Sequence, residues 1–158
     1  MEFQRVNRSD PERIFMVVRN SYSTASLSNG QWAGWDTITD IDGVNVTKIS
    51  GLVRAAPAGV AVQSIPAGEY GLIQVWGFKR DCRVSGGTGG SAASRVTRGC
   101  VLKFRTSGFA AHNFAKDSAS LKSHHGKFAA GIFMSFVNTA ALYTQVTTGQ
   151  ARVLIRCL

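Results

Sequence analysis

The sequence predicts an all-β chain: a single-domain antiparallel β-barrel or sandwich with long loops and at most one short helix. Three observations carry this expectation. Short stretches of β-branched or alternating apolar and polar residues recur along the chain with the two-residue period of a strand. Turn formers separate them, many drawn from the 17 glycines among 158 residues. Charged residues make up only 17% of the chain, which suits a turn-rich β protein better than a charged helical bundle.

The elements follow in order. "RIFMVVRN" (13–20) is apolar and β-branched, and the turn-like "SDPE" and "NSYSTASLSNG" flank it. "VNVTKISGLV" (44–53) alternates. In "SIPAGEYGLIQVWGF" (64–78), Pro66 and Gly68 make a turn that feeds a strand over 70–77, ending on Gly77. That strand places Tyr70, Leu72, Gln74 and Trp76 on one side and Gly71, Ile73, Val75 and Gly77 on the other. "CVLKFR" (100–105) sets Val101, Lys103 and Arg105 against Cys100, Leu102 and Phe104. "ARVLIRCL" (151–158) sets Arg152, Leu154 and Arg156 against Val153, Ile155 and Cys157. Long basic side chains on one face and apolar ones on the other describe a one-sided sheet. The short helix falls in "DSASLKSHHGKFAAG", with Asp117 or Ser118 as N-cap. Residues 1–12 read as an N-terminal arm, and the Gly/Ser-rich 85–94 as a flexible loop.

A chain of this length buries roughly 70% of its unfolded surface, so it needs no metal or disulfide to fold. No apolar run reaches the ~18 residues of a membrane-spanning helix, and the polar N-terminus has no signal-peptide core. The expectation is cytosolic assembly without a membrane partner. Cys82, Cys100 and Cys157 make an odd number with no C-x-x-C, so free thiols are expected.

The net charge is +9, unevenly spread: residues 1–42 hold six acids and four bases, and residues 43–158 fourteen bases and three acids. This favours an acidic partner. Enzyme signatures are missing. The glycine-rich 85–94 lacks the Lys-Ser/Thr of a P-loop, and no serine sits in a G-x-S-x-G elbow. Asp36, Asp40 and Asp42 resemble a calcium loop only loosely, without its terminal glutamate, and read instead as a turn entering a strand. His112, His124 and His125 lack zinc-ligand spacing with the cysteines. The expectation is a non-enzymatic protein with no catalytic residue, cofactor or metal. Arg95, Arg98, Lys103 and Arg105 with Phe104 and Phe109 suggest a nucleic-acid groove, but alternation turns Phe104 away from its basic neighbours. A basic nucleic-acid-binding module is therefore the second reading.

Several segments in order carry a resemblance: "DPERIFMVVRN", "SLSNGQWAGWD", "DGVNVTK", "GLVRAAPAGVAVQSIPAGEYGLIQVWG" and "RGCVLKFRTSG". Over roughly residues 11–110 they resemble the capsid decoration, or cement, proteins of tailed bacteriophages, most closely in "IPAGEYGLIQVWG". The resemblance implies a virion structural protein on the capsid surface that bridges neighbouring subunits of the major capsid protein and forms a homotrimer. A head-fibre or tail protein is the alternative within that class. Arg95, Arg98, Lys103, Arg105, Arg152 and Arg156, from one loop and two strands, are the candidate capsid contacts. Tyr70, Gln74 and Trp76 are the candidate subunit interface, with Gln74 expected to bond to backbone across the contact.

Overall fold

A computed structural model describes residues 12–38, 43–48, 57–85, 101–104, 111–113, 131–133 and 148–157. Their regular structure is all strand, as the sequence predicts. Nine strands are defined among them: β1 (Ile14–Asn20), β2 (Trp32–Trp35), β3 (Asn45–Thr47), β4 (Pro57–Ala61), β5 (Tyr70–Ser85), β6 (Val101–Phe104), β7 (Ala111–Asn113), β8 (Gly131–Phe133) and β9 (Thr148–Arg156). The sheet is not purely antiparallel. β1 pairs with β3, and β5 with β7, in parallel. The predicted helix lies outside the described residues, and so does the predicted 85–94 loop except for Ser85, which is the last residue of β5 rather than loop.

The pairing pattern closes on itself twice. One circuit runs β1–β3–β2–β4–β5 and returns to β1; the other runs β5–β7–β6–β8–β9 and returns to β5. A closed circuit leaves no open edge, the solution a barrel uses. The 16-residue β5 belongs to both. Its first half pairs with β1, from Arg19↔Tyr70 to Ile14↔Trp76, and with β4 at Val60↔Gln74 and Ala61↔Ile73. Its second half pairs with β9, from Trp76↔Arg156 to Ser85↔Thr148, and with β7 at Val84↔Ala111.

Two apolar clusters match the two circuits. Val18, Leu27, Ala33, Val46, Ala58, Ala61, Ile65, Ile73 and Val75 form one. Trp32, Val60, Cys82, Val84, Leu102, Ala151, Val153 and Ile155 form the other. Adjacent residues of β2 and β4 point to opposite clusters, Ala33 against Trp32 and Ala61 against Val60. These strands are a wall between the two cores, with small residues on one side and bulky ones on the other. Cys157 packs against both. The Trp32 indole Nε1 donates to the Arg83 carbonyl at 2.9 Å, which satisfies its polar edge.

Gly77 does not end the strand, contrary to the sequence expectation. It takes φ +97°, and a Cβ there would lie 2.2 Å from the Glu12 carbonyl oxygen. Only glycine gives both that conformation and that approach. The β1–β5 register also slips beside it, Phe15 facing Gln74 but Ile14 facing Trp76, so Val75 is an extra residue on β5. The chain bends here and passes from one circuit to the other. The turn before β5 forms as expected: Gly68 has φ +79°, Glu69 N–H donates to the Pro66 carbonyl at 3.2 Å, and Gly68 N–H to the Asn20 carbonyl at 2.7 Å.

Candidate functional site

β1 and the first half of β5 present an apolar outer face. Val17 stands opposite Leu72, and Arg19 opposite Tyr70. Val17 and Tyr70 are each 62% exposed and Phe15 46%, with Ile14 and Leu72 also open. Alternation explains the choice of residues: Val18 and Ile73 of the same strands point into the first core. Beyond the bend, Phe78 and Arg80 of β5 are exposed and Trp76 is half-buried. β9 lies alongside with Arg152 and Arg156 exposed and Val153 and Ile155 buried, as its alternation predicts. Arg156 pairs with Trp76, and its guanidinium sits 5.8 Å from the ring centroid, within cation–π range.

The predicted site residues therefore regroup. Arg156 and Trp76, assigned from the sequence to two separate surfaces, are neighbours. Tyr70 is on the open face as expected. Gln74 is not: it is only 2% exposed, and its Nε2 donates to the carbonyls of Trp76 at 3.0 Å and Phe78 at 3.3 Å. It keeps the register of Tyr70 and Leu72, but it also pairs with Val60 of β4, whose side chain belongs to the second core, and its amide is used on its own strand. It braces the bend where a regular ladder is interrupted. Lys103 lies on β6 opposite His112 of β7. Arg95, Arg98 and Arg105 lie outside the described residues. Phe15, Val17 and Arg19 are the surface residues that the sequence reading missed, although their alternation with Met16 and Val18 was visible.

This face offers apolar surface and arginine charge for contact. The two described thiols are in no disulfide and are shielded. Burial pushes the Cys157 thiol up to about 12, against a smaller opposing effect of a backbone hydrogen bond at Arg156. Burial also raises Cys82, although the Lys79 charge works the other way. Neither is a ready nucleophile. Among the described residues no group of three His, Cys, Asp or Glu side chains is placed to hold a metal. Asp36 is used locally, accepting from Ser21 Oγ at 2.6 Å and from the Ile38 N–H at 3.2 Å.

No known protein family matches the chain, and no curated protein or solved structure is significantly similar to it.

Proposed function

We propose that this is a non-enzymatic structural protein of a phage virion, which docks on the outside of the capsid and bridges neighbouring subunits of the major capsid protein. The observation that carries this reading is the apolar outer face of β1 and β5, with Arg19 opposite Tyr70 and Arg156 beside Trp76. Exposed apolar residues grouped on one sheet face suit a protein surface. The segment resemblance supplies the kind of surface. Apolar contacts give the affinity, while the arginines set encounter rate and orientation, since exposed ion pairs are worth only ~0–1 kcal/mol each. Self-association as a trimer, with Tyr70 and Trp76 at the contact, belongs to the same reading.

The test is retention on purified empty shells of the phage, over a range of salt. The expected result is retention whose rate falls with salt, weakened by Lys103→Glu with Arg105→Glu in a protein that still folds. A second reading, binding of nucleic acid, is favoured by Arg156 over the Trp76 ring, since base-binding surfaces pair basic and aromatic side chains. Tight binding of bare DNA with a steep salt slope, and no retention on shells, establishes that reading instead.

A further inference from the structure

The second half of β5 holds a polar cluster that the docking face does not use. Lys79 is 8% exposed, unusual for a lysine. Its Nζ lies 2.9 Å from Asn29 Oδ1 and 2.7 Å from Asp81 Oδ1. The other Asp81 oxygen, Oδ2, accepts from Asn29 Nδ2. An amine, a carboxamide and a carboxylate thus contact one another pairwise, with one carboxylate oxygen on the amine and the other on the amide nitrogen. We propose that Lys79 and Asn29 join through an intramolecular isopeptide bond, formed by the protein itself with Asp81 as the proton carrier.

The step balances without a co-reactant. Asp81 takes a proton from the Lys79 ammonium, and the freed amine attacks Asn29 Cγ. The Nζ–Cγ bond forms and the Cγ–Nδ2 bond breaks. Asp81 delivers the proton to the departing nitrogen through its second oxygen. Two protons leave Lys79 in all, both end on that nitrogen, and it departs as ammonium while Asp81 returns to carboxylate. No electron is gained or lost.

The surroundings favour this reaction in three ways. The tip that carries Asn29 is pinned: Gly30 N–H donates to the Ala61 carbonyl at 2.9 Å, and the Gly30 carbonyl accepts from Arg83 N–H at 2.8 Å. Gly30 has φ +81°, and a Cβ there would lie 2.0 Å from the Asp81 carbonyl oxygen, so the tip sits directly on β5. Fixing the partners in this way supplies proximity before any chemistry. Secondly, burial of a charged amine is costly, and conversion to a neutral amide removes that cost. Thirdly, Asn29 and part of Asp81 face solvent, which gives the ammonium an exit. Asp81 faces the Lys79 ammonium as an ionised carboxylate: burial pushes it up, but the hydrogen bond and charge of Lys79 and the hydrogen bond from Asn29 outweigh this and hold it below its ordinary value. The rival loss of ammonia at Asn29-Gly30, ring closure by the Gly30 nitrogen, is opposed because that N–H is bound to Ala61. The link would staple the 28–31 tip to the strand shared by both circuits, across 50 residues of sequence. It holds whether or not the docking reading does.

Intact-mass measurement of the full chain, followed by tryptic mapping, tests this. The expected mass is one ammonia below that of the sequence, with no cleavage after Lys79 and its peptide joined to the one containing Asn29. Lys79→Arg and Asp81→Ala should restore the full mass. The joined peptide pair is read on the wild-type chain, so the test stands even where a variant does not fold. A folded wild-type protein at full mass, cleaved normally after Lys79, overturns the proposal. So does a missing ammonia that persists in Lys79→Arg, which would mean ring closure at Asn29-Gly30.

Discussion

Replacing Gln74 tests the account of the bend in β5. Gln74→Met keeps the length of the side chain and removes the donor. The carbonyls of Trp76 and Phe78 lose bonds of 3.0 and 3.3 Å in a site only 2% exposed. At about 1 kcal/mol for each net hydrogen bond, and more for a carbonyl left unsatisfied, the loss is about 2 kcal/mol. Gln74→Glu is harsher at neutral pH, because a carboxylate would face two carbonyl oxygens where an amide donated. Burial and those oxygens favour the protonated acid, so the folded-state pKa of the introduced carboxyl lies above the unfolded value near ~4.3. For a group raised in this way, stability is fully present below the unfolded pKa and is lost as pH rises through the folded one. The Gln74→Glu protein should therefore recover part of its deficit between neutral pH and about pH 4, by the one hydrogen bond that a protonated acid can donate. Urea titration at several pH values measures both variants against wild type. If Gln74→Met is within ~0.5 kcal/mol of wild type and Gln74→Glu shows no recovery on acidification, the amide does not brace the bend and the reasoning fails.

Other outcomes follow from the same structure. Gly77→Ala places a methyl 2.2 Å from the Glu12 oxygen at φ +97°, and should cost about 2–4 kcal/mol in chemical denaturation, against about 1 kcal/mol for Gly43→Ala, where nothing lies within 4 Å and only the left-handed φ of +72° opposes a side chain. Cys82 and Cys157 should resist alkylation in the native protein at pH 8 and react after denaturation. Their thiols titrate higher when folded than the ordinary 9.0, so their contribution to stability is full below pH 9 and is lost as pH rises toward the folded value, about 12 for Cys157. The slope is about 1.4 kcal/mol per pH unit per thiol, absent in a Cys82→Ala, Cys157→Ala variant. Val17→Thr with Tyr70→Thr keeps β-forming side chains at two positions that are each 62% exposed; it should leave the unfolding midpoint within ~0.5 kcal/mol of wild type while lowering retention on shells at least tenfold. Unchanged retention would show that this face is not the docking face.

Local sequence sets the fold class, and it sets side-chain direction wherever a strand is buried on one face only. In β9, Arg152 and Arg156 alternate with Val153 and Ile155, and the period of two is written in neighbouring residues. The turn before β5 was legible for a similar reason, since Pro66 and Gly68 act within four residues. "WAGW" and "PAGVA" carry no strand signal of this kind because β2 and β4 are a wall between two cores. Both faces are buried, no polar residue marks the alternation, and only contact with each core assigns a side. Gln74 looked like an outward residue because its alternation with Tyr70 and Leu72 was legible, whereas its pairing with Val60 of the second core was not. The slip at Val75 depends on pairing with β1, more than fifty residues earlier in the chain. Lys79 and Asp81 are two apart on one strand, but their third partner, Asn29, is 50 residues from Lys79 and meets it only when the two circuits close on β5. Local period fixes which way a side chain points; which groups it then meets is decided by non-local pairing, and that exists only in the folded chain.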